Sequence, residues 1–147
     1  MAEAPPSHYA DCRDHLGCDR LDHGYNLLAD QATTDRARED GMFFTTCTVT
    51  SVTRNLGRRQ RSIARMVDAG LRVTVNTDDP QMFHTDLADS YVRLFKASGW
   101  GIDRAYEMSL NGVEASWLSD AAKRELRASF VAEIEALKRA IFSVKGA

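Results

Sequence analysis

The sequence is short of several features that would place it in a specialised class of protein. It contains no apolar run near the ~18–20 residues that a membrane-spanning helix needs, and residues 1–6 lack the basic and apolar stretches of a secretory signal. Lys and Arg total 19 against 21 Asp and Glu, a net charge of -2. No basic excess therefore favours nucleic acid or an anionic membrane. These absences predict a cytoplasmic protein that binds neither.

Cysteine is scarce as well. The sequence has three, Cys12, Cys18 and Cys47, and no C-x-x-C pair. An odd number without such a pair matches neither a secreted disulfide scaffold nor a four-ligand structural zinc site, so we expect three reduced thiols. Cys47 has no basic neighbour in the sequence that would activate it as a nucleophile.

The remaining composition is that of an ordinary globular domain. Hydrophobic residues make up 44% and charged residues 27% of the 147 positions. These proportions argue against disorder and against fibrous sequences. Because single domains commonly contain ~100–200 residues, residues 1–147 are predicted to form one domain.

Three segments have patterns typical of β-strands. Residues 71–75 alternate apolar and polar side chains and include Val73, Thr74 and Val75, and residues 42–49 are dense in Phe and Thr. Both patterns favour strands. Residues 18–23 form a weaker candidate with a single aliphatic side chain. Strands alternating with helices over short connections predict an α/β fold with about three parallel strands.

Helical spacing accounts for most of the remainder. We expect helices between the strands, with the arginine-rich segment after the second strand forming a loop, and a helical C-terminus. The helix boundaries are predicted from capping and stop residues: Ser7, Gly17, Gly41, Gly70, Asp103 and Ser119.

Polar groups suited to catalysis follow two of the predicted strands. His23 precedes Gly24 after the first strand, and Asp78 and Asp79 precede Pro80 after the third. In parallel α/β sheets such positions meet at one edge, where an imidazole and carboxylates could bind a divalent metal and position a water. Taken alone, a His-Gly turn and a helix-capping Asp-Asp-Pro turn explain the same residues without any site.

Three segments together, in this order and spacing, resemble the C-terminal half of the adenosine/adenine deaminase family. They are Arg-Leu-Asp-His-Gly-Tyr at 20–25, Thr-Cys-Thr-Val-Thr-Ser at 46–51 and Val-Asn-Thr-Asp-Asp-Pro-Gln-Met-Phe at 75–83. Residues 110–118 are similar to the Asn-containing helix of the same family. The likeness is closest to the adenine deaminase-like branch and covers nearly the whole chain.

The resemblance implies a partial TIM (β/α)8 barrel and zinc-dependent hydrolysis of an aminopurine, adenine or adenosine, to an oxopurine and ammonia. By the family pattern, His23 would orient or deprotonate the attacking water, and Asp78 would be a zinc ligand. Asp79 would hydrogen-bond a ring nitrogen of the purine. Glu3 would correspond to the proton-donating Glu of the family, or to its acidic neighbour.

Other motifs of the family's zinc site do not occur in the sequence. The H-x-H pair and the H-A-G-E motif are absent, and His8, His15 and His84 match no ligand motif. A catalytic zinc normally has three protein ligands, and a TIM barrel has eight strands and ~250 residues. We expect a fragment that is inactive alone and lacks an N-terminal half. The alternative is a non-catalytic interaction module that self-associates through its open sheet.

The arginine-rich segment is the one feature that suggests an anionic partner. Arg54, Arg58, Arg59 and Arg61 lie within eight residues, and a basic loop can contact phosphate. Without interleaved aromatic residues, the sequence favours a solvated loop over nucleic-acid binding. Contact with the phosphate or ribose of a substrate is the remaining alternative.

Overall fold

The chain folds around a three-stranded parallel sheet. The computed structural model describes residues 4–49 and 56–144, with side chains as far as residue 141. The sheet has the order β1-β2-β3, formed by β1 (Arg20–Asp22), β2 (Phe43–Cys47) and β3 (Arg72–Asn76). The described helices are α1 (His8–Ala10, continued by a π-turn over Asp11–His15), α2 (Gln31–Glu39), α3 (Leu56–Asp68), α4 (Pro80–Phe83), α5 (Leu87–Ser98), α6 (Ile102–Glu114) and α7 (Asp120–Val144). The predicted α/β fold with three parallel strands is confirmed.

The register of the sheet aligns a row of apolar side chains across the strands. Leu21 pairs with Phe44, and Phe44 pairs with Val73. Phe44 and Val73 are buried in one apolar core with residues of α3 and α5, such as Ile63 and Leu94. Because parallel neighbours need a crossover, α2 and α3 connect the strands, and the carboxyl ends of all three strands lie at the same edge.

The arginine-rich segment is largely helical, so the predicted loop is wrong for its described part. Arg58, Arg59 and Arg61 lie in the first two turns of α3, whereas Arg54 lies outside the described residues. Ile63 and Met66, on another face of α3, are fully buried. Their burial stabilises the helix, since tertiary packing of an apolar face contributes more to helix stability than local propensity does.

Predicted helix starts agree with the structure at two of three positions, because α1 begins at His8 after Ser7 and α7 begins at Asp120 after Ser119. Ser119 is confirmed as the N-cap of α7, because its hydroxyl accepts a hydrogen bond from the Ala122 N–H at 3.3 Å. Asp103 is not the cap of α6, which begins after Gly101 and carries Asp103 in its first turn. Ser7 precedes α1 but makes no side-chain capping bond.

The second predicted helix is divided into two elements. Residues Leu27–Ala29 form a 3-10 turn, and α2 begins after Asp30. The Asp30 carboxylate accepts a hydrogen bond from the Thr33 N–H at 3.2 Å. An Asp in extended backbone at this position is a favoured N-cap, and its extended backbone ends the preceding turn.

The last helix, α7, packs against α6 and contains no buried residue as far as residue 141. Leu126, Phe130 and Ile134 are half-buried along one stripe, whereas Leu137 and Ile141 are exposed. The apolar stripe of α7 is therefore a packing surface only in its first part. Across the described segments, no helix is both long and apolar enough to cross a bilayer.

Candidate active site at the carboxyl edge of the sheet

The turn after β1 fixes His23 at the edge of the sheet. The His23 N–H donates to the Thr45 carbonyl of β2 at 2.9 Å. Both His23 and Gly24 have left-handed backbone, with φ of 67°. A Cβ atom at Gly24 would lie 2.6 Å from Cδ1 of the buried Phe44 ring. Since only glycine avoids this overlap, the turn requires glycine at position 24.

The imidazole of His23 is held by an aromatic neighbour but has an unused nitrogen. Its ring stacks on Tyr25 with a centroid distance of 5.6 Å and an interplanar angle of 27°. Its Nδ1 is buried and has no hydrogen-bond partner. A buried nitrogen without a partner costs free energy. This atom is therefore available to a water, a metal or a substrate group that the described residues do not supply.

Tyr25 connects the turn after β1 to the end of β2. Its hydroxyl accepts a hydrogen bond from the Cys47 N–H at 2.9 Å and donates one to the Cys47 carbonyl at 3.1 Å. Cys47 is 5% exposed. Burial, helped by the nearby charge of Asp78, raises the pKa of the thiol to about 12. A thiol with so high a pKa is a poor nucleophile at neutral pH, in agreement with the sequence interpretation.

The chain leaves the sheet before the two aspartates. β3 ends at Asn76, whose side chain donates to the Thr74 hydroxyl at 2.9 Å. Asp78 has left-handed backbone with φ of 62°, and α4 begins at Pro80. Both Asp78 and Asp79 are exposed, and both carboxylates act on the buried Cys47 thiol. The two carboxylates are thus in a turn beside the end of β2, where one site can use both.

Three of the predicted site residues therefore lie at the same edge of the sheet, whereas Glu3 lies outside the described residues. His8 reaches this edge from the N-terminal helix and, with His23, lines a cavity of about 300 Å³. Across residues 4–49 and 56–141, no group of three or more His, Cys, Asp or Glu side chains is arranged to hold a metal ion.

Sequence reasoning missed two residues that organise this edge. The Tyr25 hydroxyl binds the backbone of Cys47, and the Asp22 carboxylate accepts a hydrogen bond from the Thr45 hydroxyl. Both interactions join β1 or its turn to β2, across more than twenty residues of chain. In the sequence, these residues are an acidic residue and a tyrosine on either side of the His-Gly pair. Their role can be inferred only when the pairing of β1 with β2 is known.

A parallel sheet with flanking helices and polar residues at its carboxyl edge occurs in (β/α)8 barrels and in open α/β sheets, and the similarity to solved structures favours the barrel. An amidohydrolase of Burkholderia ambifaria, solved with bound zinc, superposes with a TM-score of 0.83 at 26% identity, over 95% of this chain and 40% of that one. Adenine deaminase of Arthrobacter aurescens gives 0.81 at 26% identity, over 90% and 41%. An Arabidopsis N6-mAMP deaminase gives 0.68 at 17% identity, over 88% and 39%, and supports the fold alone.

The family follows from the sequence match. The adenosine deaminase profile matches residues 2–133, and the chain belongs to the adenosine deaminase family. Adenine deaminase of Streptomyces coelicolor is 34% identical over 138 residues, and adenine deaminase of Rhodospirillum rubrum is 31% identical over 134. These matches cover 92% and 88% of the chain, but the chain spans 40% of the length of each relative. The resemblance predicted from the three motifs is confirmed.

Proposed function

We propose that the chain supplies part of the active site of a hydrolytic deaminase of aminopurines, adenine or adenosine. The observation that carries the proposal is the common edge of the sheet, where His23 with its unpaired buried Nδ1 and the exposed Asp78 follow β1 and β3. The curated relatives named adenine deaminase support this choice of substrate. A cytoplasmic location and a role in purine metabolism are part of the same proposal.

In the proposed reaction, water adds to the purine carbon that bears the amino group, ammonia leaves and a carbonyl remains. His23 orients the water and accepts its proton, since an imidazole is a common general base and its buried Nδ1 has no partner among the described residues. Asp79 binds a ring nitrogen of the purine. Glu3, or the acidic residue beside it in the family pattern, donates a proton to the ring.

The residues of this chain fit a zinc ion only in part. The Asp78 carboxylate is the proposed ligand, and His23 is proposed to lie near the metal without binding it. A catalytic zinc normally takes three protein ligands. The described residues do not supply that number. We therefore derive no step through a metal held by this chain alone. The remaining ligands are proposed to come from the other strands of a complete barrel.

The proposal is tested with a chimera that contains a complete barrel. The matching C-terminal 40% of Streptomyces coelicolor adenine deaminase is replaced by this chain, and ammonia release from adenine and adenosine is measured with added zinc. We expect turnover by the chimera and none by the chain alone. Asp78→Asn should lower both the zinc content and the rate, while His23→Ala should lower the rate at least ~100-fold with zinc retained.

Asp89→Asn is the matched control, because Asp89 is a carboxylate paired with Arg93 on α5. It should leave both zinc content and rate close to those of the unmodified chimera. A folded, zinc-loaded chimera that turns over neither purine would refute the proposal. So would an Asp78→Asn chimera that retains full zinc and full activity.

A second candidate function is self-association. β1 and β3 are the edge strands of the described sheet, each paired with β2, and edge strands can pair with another chain. In that case the isolated chain should sediment as a dimer or larger species at micromolar concentration and release no ammonia in any context. A monomer at these concentrations would remove this candidate.

A further inference from the structure

One face of α3 forms one wall of a cleft that contains several arginines. The cleft has a volume of about 350 Å³, and its other wall is the turn that follows β1. Arg58, Arg61 and Arg65 line it together with Ser62. These arginines follow a spacing of three and four residues, so they lie along one face of the helix. No carboxylate is among the described residues that line the cleft.

Among the described residues, no ion pair compensates the positive charge of this cleft. None of the three arginines forms an ion pair among the described residues, whereas Arg36, Arg93 and other arginines do. Like charges three or four residues apart on a helix repel each other. The first turn of α3 contains no acidic residue, and the helix N-terminus itself is positive. An anion in the cleft would reduce the repulsion among the arginines and would interact favourably with the positive end of the helix.

A fourth arginine, Arg59, contacts the aromatic residue that lines the cleft. The Arg59 guanidinium lies 5.4 Å from the centroid of the Tyr25 ring, and Tyr25 also lines the cleft. Tyr25 also stacks on the ring of His23. The arginine cleft and the candidate active site therefore share one aromatic side chain. The cleft is nevertheless a separate cavity from the one that His23 lines.

We propose that this cleft is a binding site for a phosphate group, either inorganic phosphate or the phosphate of a small phosphorylated metabolite. Guanidinium groups form bidentate hydrogen bonds to phosphate oxygens. Arg61 and Arg65 reach the anion from one helix face, and the Ser62 hydroxyl donates between them. The site does not depend on the deaminase reaction, since its residues lie outside the catalytic set.

Isothermal titration of the full chain at low ionic strength tests the site. Inorganic phosphate and glucose 6-phosphate represent the two sources of the same group, and glucose is the uncharged control. We expect saturable binding of one equivalent of each anion, in competition with each other, and no binding of glucose. Whichever anion binds more tightly identifies the source that the site prefers.

The variant Arg61→Gln/Arg65→Gln should weaken phosphate binding about 10-fold or more, since each charge-assisted hydrogen bond contributes substantially to the free energy of binding. The matched control is Arg124→Gln/Arg139→Gln, which removes the same charge from exposed arginines of α7. It should bind phosphate as the wild type does, and circular dichroism checks that both variants are folded. Equal weakening in both variants, or the absence of saturable binding, would overturn the proposal.

Discussion

At the scale of single residues, backbone strain is concentrated at the candidate site. His23 and Asp78 are two of three described residues other than glycine with positive φ. Such conformations cost ~1–3 kcal/mol and persist where the surrounding structure enforces them. Here the His23 N–H is bonded to the neighbouring strand, and Pro80 fixes the backbone after the aspartates. His23 is thus held by the sheet, and Asp78 is held in the turn between β3 and α4.

Gly24 gives a direct test of this turn. Gly24→Ala should lower the free energy of unfolding by ~2–4 kcal/mol, because it adds left-handed strain and an overlap with Phe44. The Phe44 ring is fully buried and has little room to move. Urea denaturation followed by circular dichroism measures the change.

Gly99→Ala separates the two causes. Gly99 has nearly the same φ, 68°, but a Cβ atom there would contact nothing within 4 Å. Gly99→Ala should lower the free energy of unfolding by ~1 kcal/mol, from backbone strain alone. If the two substitutions destabilise the chain equally, the described contact between Gly24 and Phe44 is wrong.

At the scale of elements, sequence patterns predicted the strands and helices that are favoured by their own residues. β3 was predictable because its apolar side chains alternate with the pleat and its centre is β-branched, and α7 because its cap and apolar spacing agree. β1 gave a weak signal, since three residues form a strand only by pairing with Phe43, Phe44 and Thr45 of β2. The helical state of the arginines in α3 likewise depends on burial of Ile63 and Met66 against the core.

Helix capping supplies the prediction at this scale. The Asp86 carboxylate accepts a hydrogen bond from the Asp89 N–H at 2.7 Å and caps α5. Asp86→Ala should therefore destabilise the chain by ~1 kcal/mol. Asp103→Ala is the comparison, because Asp103 is 88% exposed and forms a surface ion pair with Lys138. Its loss should cost less than ~0.5 kcal/mol in thermal unfolding, and the opposite ranking would show that Asp103 is the more important residue.

At the scale of the whole molecule, the candidate site was predictable only as a set of motifs. His23, Asp78 and Asp79 were identified because their segments occur in the order and spacing of the family. Tyr25 was not, since its bond to Cys47 becomes visible when two strands are side by side. The number of metal ligands is a property of a complete barrel, of which this chain spans three strands.

The two tryptophans test whether the described fold is one cooperative unit. Trp100 packs edge-on against Phe95 at 5.4 Å, whereas Trp117 is 76% exposed beneath the Arg20 guanidinium. Unfolding in urea should give coincident transitions by circular dichroism and by Trp100 fluorescence, with Trp117→Phe leaving the midpoint nearly unchanged. Separate transitions for the two signals would contradict a single domain.

The register of the sheet also determines which residues can be substituted without disturbing the core. Phe44 and Val73 face the helices, so substitutions at these positions are constrained by the volume of the core. The alternate positions, such as Thr45 and Thr74, point to the opposite side of the sheet. The loops after the strands belong to neither set. Substitutions are therefore expected mainly in the loops, whereas buried strand residues of both faces, such as Val73 and Thr74, are retained for folding.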